Sequence, residues 1–238
     1  MRYTPFDRPT DDRDWETDAD GTVRWALVGL GWWTSDWALP AIEEGTYGEA
    51  TVAVSGSAEK AGAFAGEHDL SAGITYEEFH DGVAADGYDA AYVATPNALH
   101  LEHVEAAAGH GKHVLVEKPM EASVERAEAM VDACDDAGVQ LMVGYRMQID
   151  PLLRRTRELI DAEVVGDVNQ VSGACAGPFV SADGKRGWRT DPDLAGGGAM
   201  FDIGVYPLNT LRFLLDADPE SVVATVDRND EFLAGMDR

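Results

Sequence analysis

The chain has 238 residues, 44 Asp and Glu against 18 Lys and Arg, and a formal net charge of −26. So strong a negative charge argues against nucleic acid or an anionic membrane surface as the main partner. A hydrophobic content of 45% excludes an extended disordered acidic chain. Lysine occurs only four times. This composition is typical of proteins from a high-salt cytoplasm, where salt screens the repulsion between the protein's own negative charges. The alternative is an ordinary acidic mesophilic protein.

The polar, acidic residues 1–20 contain no apolar core of a signal peptide, and we expect them to form an N-terminal arm. No apolar run reaches the length of about 18 residues that a membrane span needs. Cys134 and Cys175 give neither a disulfide framework nor the spacing of a zinc site. These features together favour a cytoplasmic location.

Short apolar runs alternate with helical segments over residues 21–146. The pattern predicts strands at 23–28, 50–54, 73–75, 88–94, 113–116 and 139–144, with helices at 58–67, 77–83, 98–108 and 121–137 and a first helix that Pro40 bends. Such alternation implies right-handed crossovers and a mostly parallel sheet with helices on its faces. We therefore expect a doubly wound α/β nucleotide-binding domain here.

A different pattern follows in residues 147–238, where we expect a second domain of the α+β class. It predicts helices at 151–162 and 199–215, strands at 168–174 and 221–226, and a long loop at 177–198. Two strands are few for a stable sheet. We therefore expect that this domain is truncated or that a partner completes its sheet.

Gly29 and Gly31 follow the first apolar run and precede a helix. Glycines in this position let backbone amides approach a pyrophosphate at a helix N-terminus. Thr34 replaces the third glycine of the usual pattern, and the alternative is a plain tight turn. Because the turn opens a six-strand α/β pattern, it predicts dinucleotide binding. Trp32 and Trp33 either line the nicotinamide or sugar, or belong to the core.

The second predicted strand ends in Ser55, Gly56 and Ser57 and is followed by Lys60. A carboxylate at this position would favour NAD, by holding the ribose 2′-hydroxyl. A serine and a nearby lysine instead favour the 2′-phosphate of NADP. The alternative is a surface lysine without a ligand.

Polar residues also follow the fourth and fifth predicted strands. Thr95, Pro96 and Asn97 should lie at the carboxyl edge of the sheet, where ligands of open α/β sheets bind. His100 and His103 have no third ligand near them in sequence, so we expect no metal. Lys118, between Glu117 and Pro119, should project over the cofactor; the alternative is an ion pair that closes the strand.

Asp202 and Tyr206 are four residues apart on a predicted helix and so share one face. A carboxylate and a phenol on a mostly apolar helix are costly unless they face a polar cleft. The alternative is a tyrosine hydroxyl bonded to a core aspartate. The three glycines at 196–198 allow another backbone to approach closely.

The segments at 95–100, 117–119, 144–146 and 196–207 together resemble the glucose–fructose oxidoreductase, inositol dehydrogenase and MocA (Gfo/Idh/MocA) family. Within it, the turn at 31–34 and the segments at 75–82, 95–100, 117–122 and 202–209 most resemble the branch from halophilic archaea that oxidises D-xylose at C1. The resemblance implies a Rossmann domain, a second domain with an open sheet, and an active site between them. It also implies homo-oligomers through that sheet, of which this chain would hold only part.

The resemblance implies hydride transfer from C1 of a cyclic aldose to NADP, giving an aldonolactone. Lys118, Tyr206 and Asp202 would be catalytic: Tyr206 would remove the hydroxyl proton, Lys118 would favour the phenolate, and Asp202 would orient Lys118 or the sugar. The expected cofactor contacts are Gly29, Gly31, Trp32, Trp33, Thr34, Ser55, Gly56, Ser57, Lys60, Thr95, Pro96, Asn97, His100, Glu117 and Lys118. The expected sugar contacts are Lys118, Arg146, Trp188, Arg189, Asp202 and Tyr206.

Three alternatives stay within the resemblance. In the first, the same core residues would act on a different substrate, an inositol or a trans-dihydrodiol. The second is a glucose–fructose oxidoreductase that keeps NADP bound. The third is a regulatory protein that binds NADP without catalysis.

Overall fold

A computed structural model describes residues 21–177 and 187–225 of the chain. These residues divide into two compact units. The first contains residues 21–144 together with 187–198, and the second contains residues 145–177 together with 199–225. The predicted N-terminal arm lies outside the described residues.

The first unit is built on a six-stranded parallel sheet with the strand order β3-β2-β1-β4-β5-β6. Its strands are β1 (Val23–Val28), β2 (Gly48–Ser55), β3 (Ala72–Thr75), β4 (Ala90–Val93), β5 (His113–Val116) and β6 (Leu141–Val143). The predicted doubly wound sheet is therefore confirmed. The strand order reverses between β1 and β4, since β2 and β3 lie on one side of this pair and β5 and β6 on the other. Ligands of such sheets bind beyond the carboxyl ends of the strands at that point.

Helices connect the strands close to the predicted positions: α1 (Leu39–Glu44), α2 (Ala58–Glu67), α3 (Tyr76–His80), α4 (His100–Gly109) and α5 (Val124–Ala137). A π-helical turn at Thr34–Ala38 runs directly into α1, and Pro40 is the second residue of α1. Proline has no N–H to donate within a helix, and the π-helical turn lies just before it. The Ser57 and Ser123 side chains cap α2 and α5. Gly138 ends α5 with φ +67°.

Two apolar layers enclose the sheet, which explains why its strands are almost continuously apolar in sequence. Phe79, Val104 and Met130 belong to the layer on one face. Leu39 and Phe64 belong to the layer on the other. Among the described residues, no helix has the length and apolarity that crossing a bilayer would require.

The described part of the second unit is helical, with α6 (Pro151–Asp161) and α8 (Val205–Leu215). The prediction of a strand at 168–174 was wrong, because these residues form no strand. A strand was also predicted at 221–226, and its described residues, 221–225, form none. A strand needs a neighbouring strand to pair its N–H and C=O groups. The described residues of this unit supply no such neighbouring strand. Their alternating apolar pattern is therefore not sufficient to form a strand.

The predicted loop at 177–198 is only partly described. Residues 178–186 lie outside the described residues. Residues 187–198 contain a 3₁₀ turn, Trp188–Thr190, and the short helix α7 (Pro192–Ala195), which the sequence did not predict. This segment packs with the first unit, where Asn97 Nδ2 donates a hydrogen bond to the carbonyl oxygen of Ala195 at 2.9 Å.

Candidate functional site

The turn after β1 has a conformation that requires glycine at position 29. Gly29 has φ +94°, and a Cβ there would lie 2.8 Å from the carbonyl oxygen of Ala94. Its backbone N–H donates to the carbonyl oxygen of Val54 at 3.0 Å. A side chain at this position would be strained and would collide with the end of β4. The turn is thus packed tightly against both neighbouring strands.

The space beside Gly31 in the same turn is open, since a Cβ built on this residue would meet no atom within 4 Å. Thr34 and Ser35 donate their backbone N–H groups to the Gly31 carbonyl oxygen. The buried hydroxyl of Thr34 donates to the carbonyl oxygen of Gly29 at 2.6 Å. Thr34 therefore closes the turn through its side chain, and its predicted contact with the cofactor stays a prediction.

A buried hydroxyl without a partner lies beside this turn. Thr95 follows β4 and is 6% exposed, and its Oγ1 has no hydrogen-bond partner. Its Cγ2 would lie 2.9 Å from a Cβ on Gly29. Buried hydroxyls are normally paired. The open side of Gly31 and the unpaired Thr95 hydroxyl fit a dinucleotide at the point where the strand order reverses.

The end of β2 presents hydroxyls and no carboxylate. Ser55 Oγ accepts a hydrogen bond from the Ser57 N–H, and Ser57 Oγ accepts one from the Lys60 N–H, both at 3.3 Å. Lys60 is exposed in the first turn of α2. The ring of Tyr76, a residue that sequence analysis missed, lies 3.3 Å from a Cβ built on Gly56. Burial raises the pKa of the Tyr76 hydroxyl, although a hydrogen bond with the Gly56 backbone opposes this.

The loop after β5 carries Lys118 and is fixed by His100. This histidine is fully buried, with Nδ1 3.0 Å from the carbonyl oxygen of Met120 and Nε2 2.9 Å from that of Thr95. Burial lowers the pKa of His100, while its two backbone hydrogen bonds act in the opposite direction. Since both ring nitrogens face carbonyl groups of the protein, His100 holds two loops together. Its predicted contact with the cofactor stays a prediction.

An ion pair between a buried carboxylate and a partly exposed guanidinium fixes the same loop from its other end. Arg126 Nε donates to Glu121 Oε1 at 2.7 Å, and Arg126 Nη2 donates to the carbonyl oxygen of Ala98 at 2.8 Å. The Glu121 side chain is completely buried. It also accepts hydrogen bonds from the backbone N–H groups of Ala122 and Ser123. Neither Glu121 nor Arg126 was predicted to have a role, because nothing in the sequence shows that they meet.

Trp33 is half-buried and its indole is held by two side chains. Its Nε1 lies 2.7 Å from Tyr92 Oη and 3.1 Å from Glu117 Oε1. Its ring stacks on Trp37 with centroids 6.1 Å apart. Trp32, by contrast, is 58% exposed. The two tryptophans that the sequence analysis treated together therefore have different environments.

The second unit presents Asp202 and Tyr206 on one helical stretch. Asp202 lies in a π-helical turn, Met200–Gly204, that runs directly into α8, where Tyr206 lies. Both side chains are partly exposed. The π-helical turn is itself of interest, because such turns often occur at functional sites. The guanidinium of Arg146 lies 5.7 Å from the centroid of the Tyr206 ring. Of the predicted sugar contacts, Arg146 and Tyr206 are thus brought together within this unit, with Asp202 in the helical turn that precedes Tyr206.

The remaining predicted sugar contacts, Trp188 and Arg189, lie in the segment that packs with the first unit. The Arg189 guanidinium lies 4.6 Å from the Trp188 ring centroid, within cation–π distance. Gly196, two residues after Leu194, has φ +71° and packs directly on Ala122 in the loop that follows Lys118. Only glycine leaves room for this approach.

Among the residues that the structure describes, no group of three or more His, Cys, Asp or Glu side chains could hold a metal ion. His103 instead bonds His80, with 2.9 Å between its Nδ1 and His80 Nε2. Burial, followed by the nearby His80 and His100, lowers the pKa of His103 to about 3. This pair belongs to the packing of α3 on α4.

Family models match both parts of the chain. The model described as "Oxidoreductase family, NAD-binding Rossmann fold" (GFO_IDH_MocA) matches residues 23–145, and that described as "GFO/IDH/MocA C-terminal domain" matches residues 153–237. The aldose-aldose oxidoreductase of Caulobacter crescentus, crystallised with glycerol, superposes with a TM-score of 0.77 at 31% identity. That comparison covers 90% of this chain and 64% of the solved one.

Two archaeal relatives are also similar in sequence. D-xylose 1-dehydrogenase [NADP(+)] of Haloarcula marismortui is 50% identical over 225 residues, covering 93% of this chain and 61% of the relative. D-xylose 1-dehydrogenase (NADP(+)) 2 of Haloferax volcanii is 36% identical over 192 residues, covering 81% and 57%. The chain thus spans about 60% of the length of these relatives. With both family models matched and the doubly wound sheet in place, the chain belongs to the Gfo/Idh/MocA family of oxidoreductases.

Proposed function

We propose that this protein oxidises a cyclic aldose, with D-xylose preferred, at C1, using NADP as the hydride acceptor and giving an aldonolactone. The observation that carries the proposal is the 50% identity to the NADP-dependent D-xylose 1-dehydrogenase of Haloarcula marismortui over 93% of this chain. It is supported by the retention of Lys118, Asp202 and Tyr206 at the positions that the family resemblance marks as catalytic. An acidic, lysine-poor chain also suits a high-salt cytoplasm.

The first unit would hold NADP at the turn that contains Gly29 and Gly31. The backbone of this turn would face the pyrophosphate, since only Gly31 leaves its outer side open. Thr95 Oγ1 would gain the partner that it lacks within the protein. Ser57 and Lys60 would bind the 2′-phosphate, because a hydroxyl and an ammonium favour an anion where a carboxylate would repel it. When bound, NADP supplies a nicotinamide that accepts the hydride.

The protein's own side chains would manage the proton that leaves the sugar. As the C1–H bond breaks, its electron pair leaves with the hydride, and the C1 hydroxyl gives its proton to Tyr206 Oη. A free tyrosine has a pKa of about 10 and is a weak base near neutrality. The Lys118 ammonium would favour the phenolate and hold the sugar hydroxyl. Asp202 would orient Lys118 or the sugar.

The test measures NADP reduction by D-xylose in about 2 M KCl, with the variants Lys118→Ala and Tyr206→Phe. Each should lose at least about 100-fold in kcat/KM, or about 2.7 kcal/mol of transition-state stabilisation. Lys112→Ala and Tyr47→Phe make the same chemical changes elsewhere and should retain wild-type rates. Unchanged rates in both catalytic variants would overturn the assigned roles, and failure of both xylose and glucose would overturn the substrate class.

The similarity to the Caulobacter crescentus enzyme favours a second candidate, an oxidoreductase that passes the hydride from one aldose to another. Such a protein keeps its cofactor between turnovers. NADP that stays with the protein through gel filtration, together with turnover of paired aldoses without added cofactor, would support this candidate. Cofactor that separates on the column would favour the dehydrogenase.

A further inference from the structure

The Glu117 carboxylate joins three segments that are distant in sequence. Its Oε1 accepts hydrogen bonds from Tyr92 Oη at 2.8 Å and from Trp33 Nε1 at 3.1 Å. Its Oε2 accepts a hydrogen bond from the backbone N–H of Lys118 at 3.1 Å. Tyr92 Oη also accepts from Trp33 Nε1 at 2.7 Å. The indole N–H is therefore shared between a phenol and a carboxylate, and the phenol has its single proton directed at Glu117.

These residues lie at the point where the strand order reverses. Trp33 belongs to the turn after β1, Tyr92 to β4 and Glu117 to the end of β5, and these three strands are neighbours in the sheet. Tyr92 is 5% exposed, so its hydroxyl faces into the protein. A Cβ on Gly144, the residue after β6, would lie 3.2 Å from Glu117 Oε1, so the glycine leaves space for the carboxylate there.

Hydrogen bonds to a carboxylate are stronger than those between neutral groups, and several together define its position. The position of the Glu117 carboxylate in turn fixes the Lys118 N–H, and with it the start of the Lys118 side chain. Trp33 is fixed by the same carboxylate, only two residues after Gly31. The two loops that face a bound dinucleotide therefore share one anchor.

We propose that Glu117 and Tyr92 are positioning residues that couple the dinucleotide-binding turn, through Trp33, to the backbone of Lys118. Glu117 acts through this link, with protein donors on both of its oxygens. The catalytic consequence rests on the proposed function, because it requires Lys118 to act on the sugar. The link itself is independent of any substrate.

The test is the substitution Tyr92→Phe, which removes one hydroxyl and changes no charge. Tyr88→Phe is the matched control, since Tyr88 is fully buried in the same unit and its hydroxyl has no partner. NMR spectra of ¹⁵N-labelled full chain follow two signals, the indole N–H of Trp33 and the backbone N–H of Lys118. Tyr92→Phe should shift both signals, and Tyr88→Phe should shift neither.

The kinetic part separates positioning from support of the fold. Tyr92→Phe should lower kcat about tenfold, with the KM for NADP within twofold of wild type and the melting temperature close to that of Tyr88→Phe. A Lys118 signal that does not move in Tyr92→Phe would overturn the link, and so would equal shifts in the control. An unchanged kcat would overturn the positioning role. An inactive wild type would contradict the proposed function alone, and the NMR comparison would still decide on the link.

Discussion

At the scale of single residues, the structure separates polar groups that are available for ligands from those that are occupied within the protein. Thr34 and His100 both lie beside the predicted cofactor, yet their side-chain polar atoms face carbonyl oxygens of the protein. Thr95 Oγ1 is also buried, and it has no partner. Burial alone therefore does not distinguish a structural hydroxyl from one that awaits a ligand; the hydrogen-bond partners do.

His103 provides a prediction of pH dependence. Its pKa in the folded protein is about 3, against about 6.5 in an unfolded chain. Below pH 6.5 the unfolded chain therefore binds a proton that the folded protein excludes, so the free energy of unfolding falls as the pH decreases. Between pH 7 and pH 5.5, we expect His103 to account for a loss of about 1 kcal/mol.

Urea unfolding at these two pH values checks this prediction. His103→Gln should show a pH-dependent loss that is smaller by about 1 kcal/mol. His68→Gln alters a more exposed histidine and should keep the wild-type dependence. Equal losses in the two variants would contradict the role of His103. Asp89, whose pKa the Arg24 guanidinium lowers to about 2 mainly by hydrogen bonding, titrates at lower pH and does not interfere.

At the scale of elements, the turn after β1 gives the two glycines different tasks. Gly29→Ala should lower the free energy of unfolding by about 2 kcal/mol or more, because the new Cβ is strained at φ +94° and meets the carbonyl oxygen of Ala94. Gly31→Ala should leave stability within about 0.5 kcal/mol of wild type, since the Cβ enters open space. That space is where we expect the cofactor, so its affinity should fall at least about tenfold.

Chemical denaturation and calorimetric titration with NADPH measure the two effects separately. The glycines are matched controls for one another, because both receive a single methyl group. Equal destabilisation by the two substitutions would contradict the role of Gly29. Undiminished NADPH binding by Gly31→Ala would contradict the placement of the pyrophosphate.

The elements themselves were predicted well where local signals determine them. Helix α2 was predicted with both ends correct, since Ser57 caps its start. The strands of the sheet were recognised as apolar runs: β1 and β5 were predicted with both ends correct, and the other four with ends shifted by at most two residues. Residues 168–174 were predicted wrongly as a strand, since alternation identifies a chain that can form a strand but does not supply its neighbour.

At the scale of the whole molecule, the charge of −26 predicts a strong dependence of stability on salt. Self-repulsion between carboxylates should destabilise the fold at low salt and be screened as the Debye length falls to about 3 Å at 1 M. We expect the melting temperature to rise by about 10 °C or more between 0.1 M and 1 M KCl, and then to level off.

The shape of the salt dependence identifies its cause. Screening is nearly complete at 1 M and depends on ionic strength, so NaCl and KCl should give the same curve. An increase that continues steadily to 3 M, and that is larger for sulfate than for chloride at equal ionic strength, would indicate exclusion of salt from the protein surface instead. A melting temperature that does not respond to salt would contradict the prediction.

The doubly wound sheet, the glycine turn and the family could all be predicted before the structure, because they depend on apolar periodicity and on short contiguous motifs. Only the tertiary structure showed that Trp33 shares its indole N–H with Tyr92 and Glu117, 59 and 84 residues further along the chain. Such contacts depend on which strands lie side by side, and the order β1-β4-β5 cannot be inferred from the local sequence around any one of them. The same limit applied to Arg126, which pairs with Glu121 and donates to the carbonyl oxygen of Ala98, 28 residues earlier in the chain.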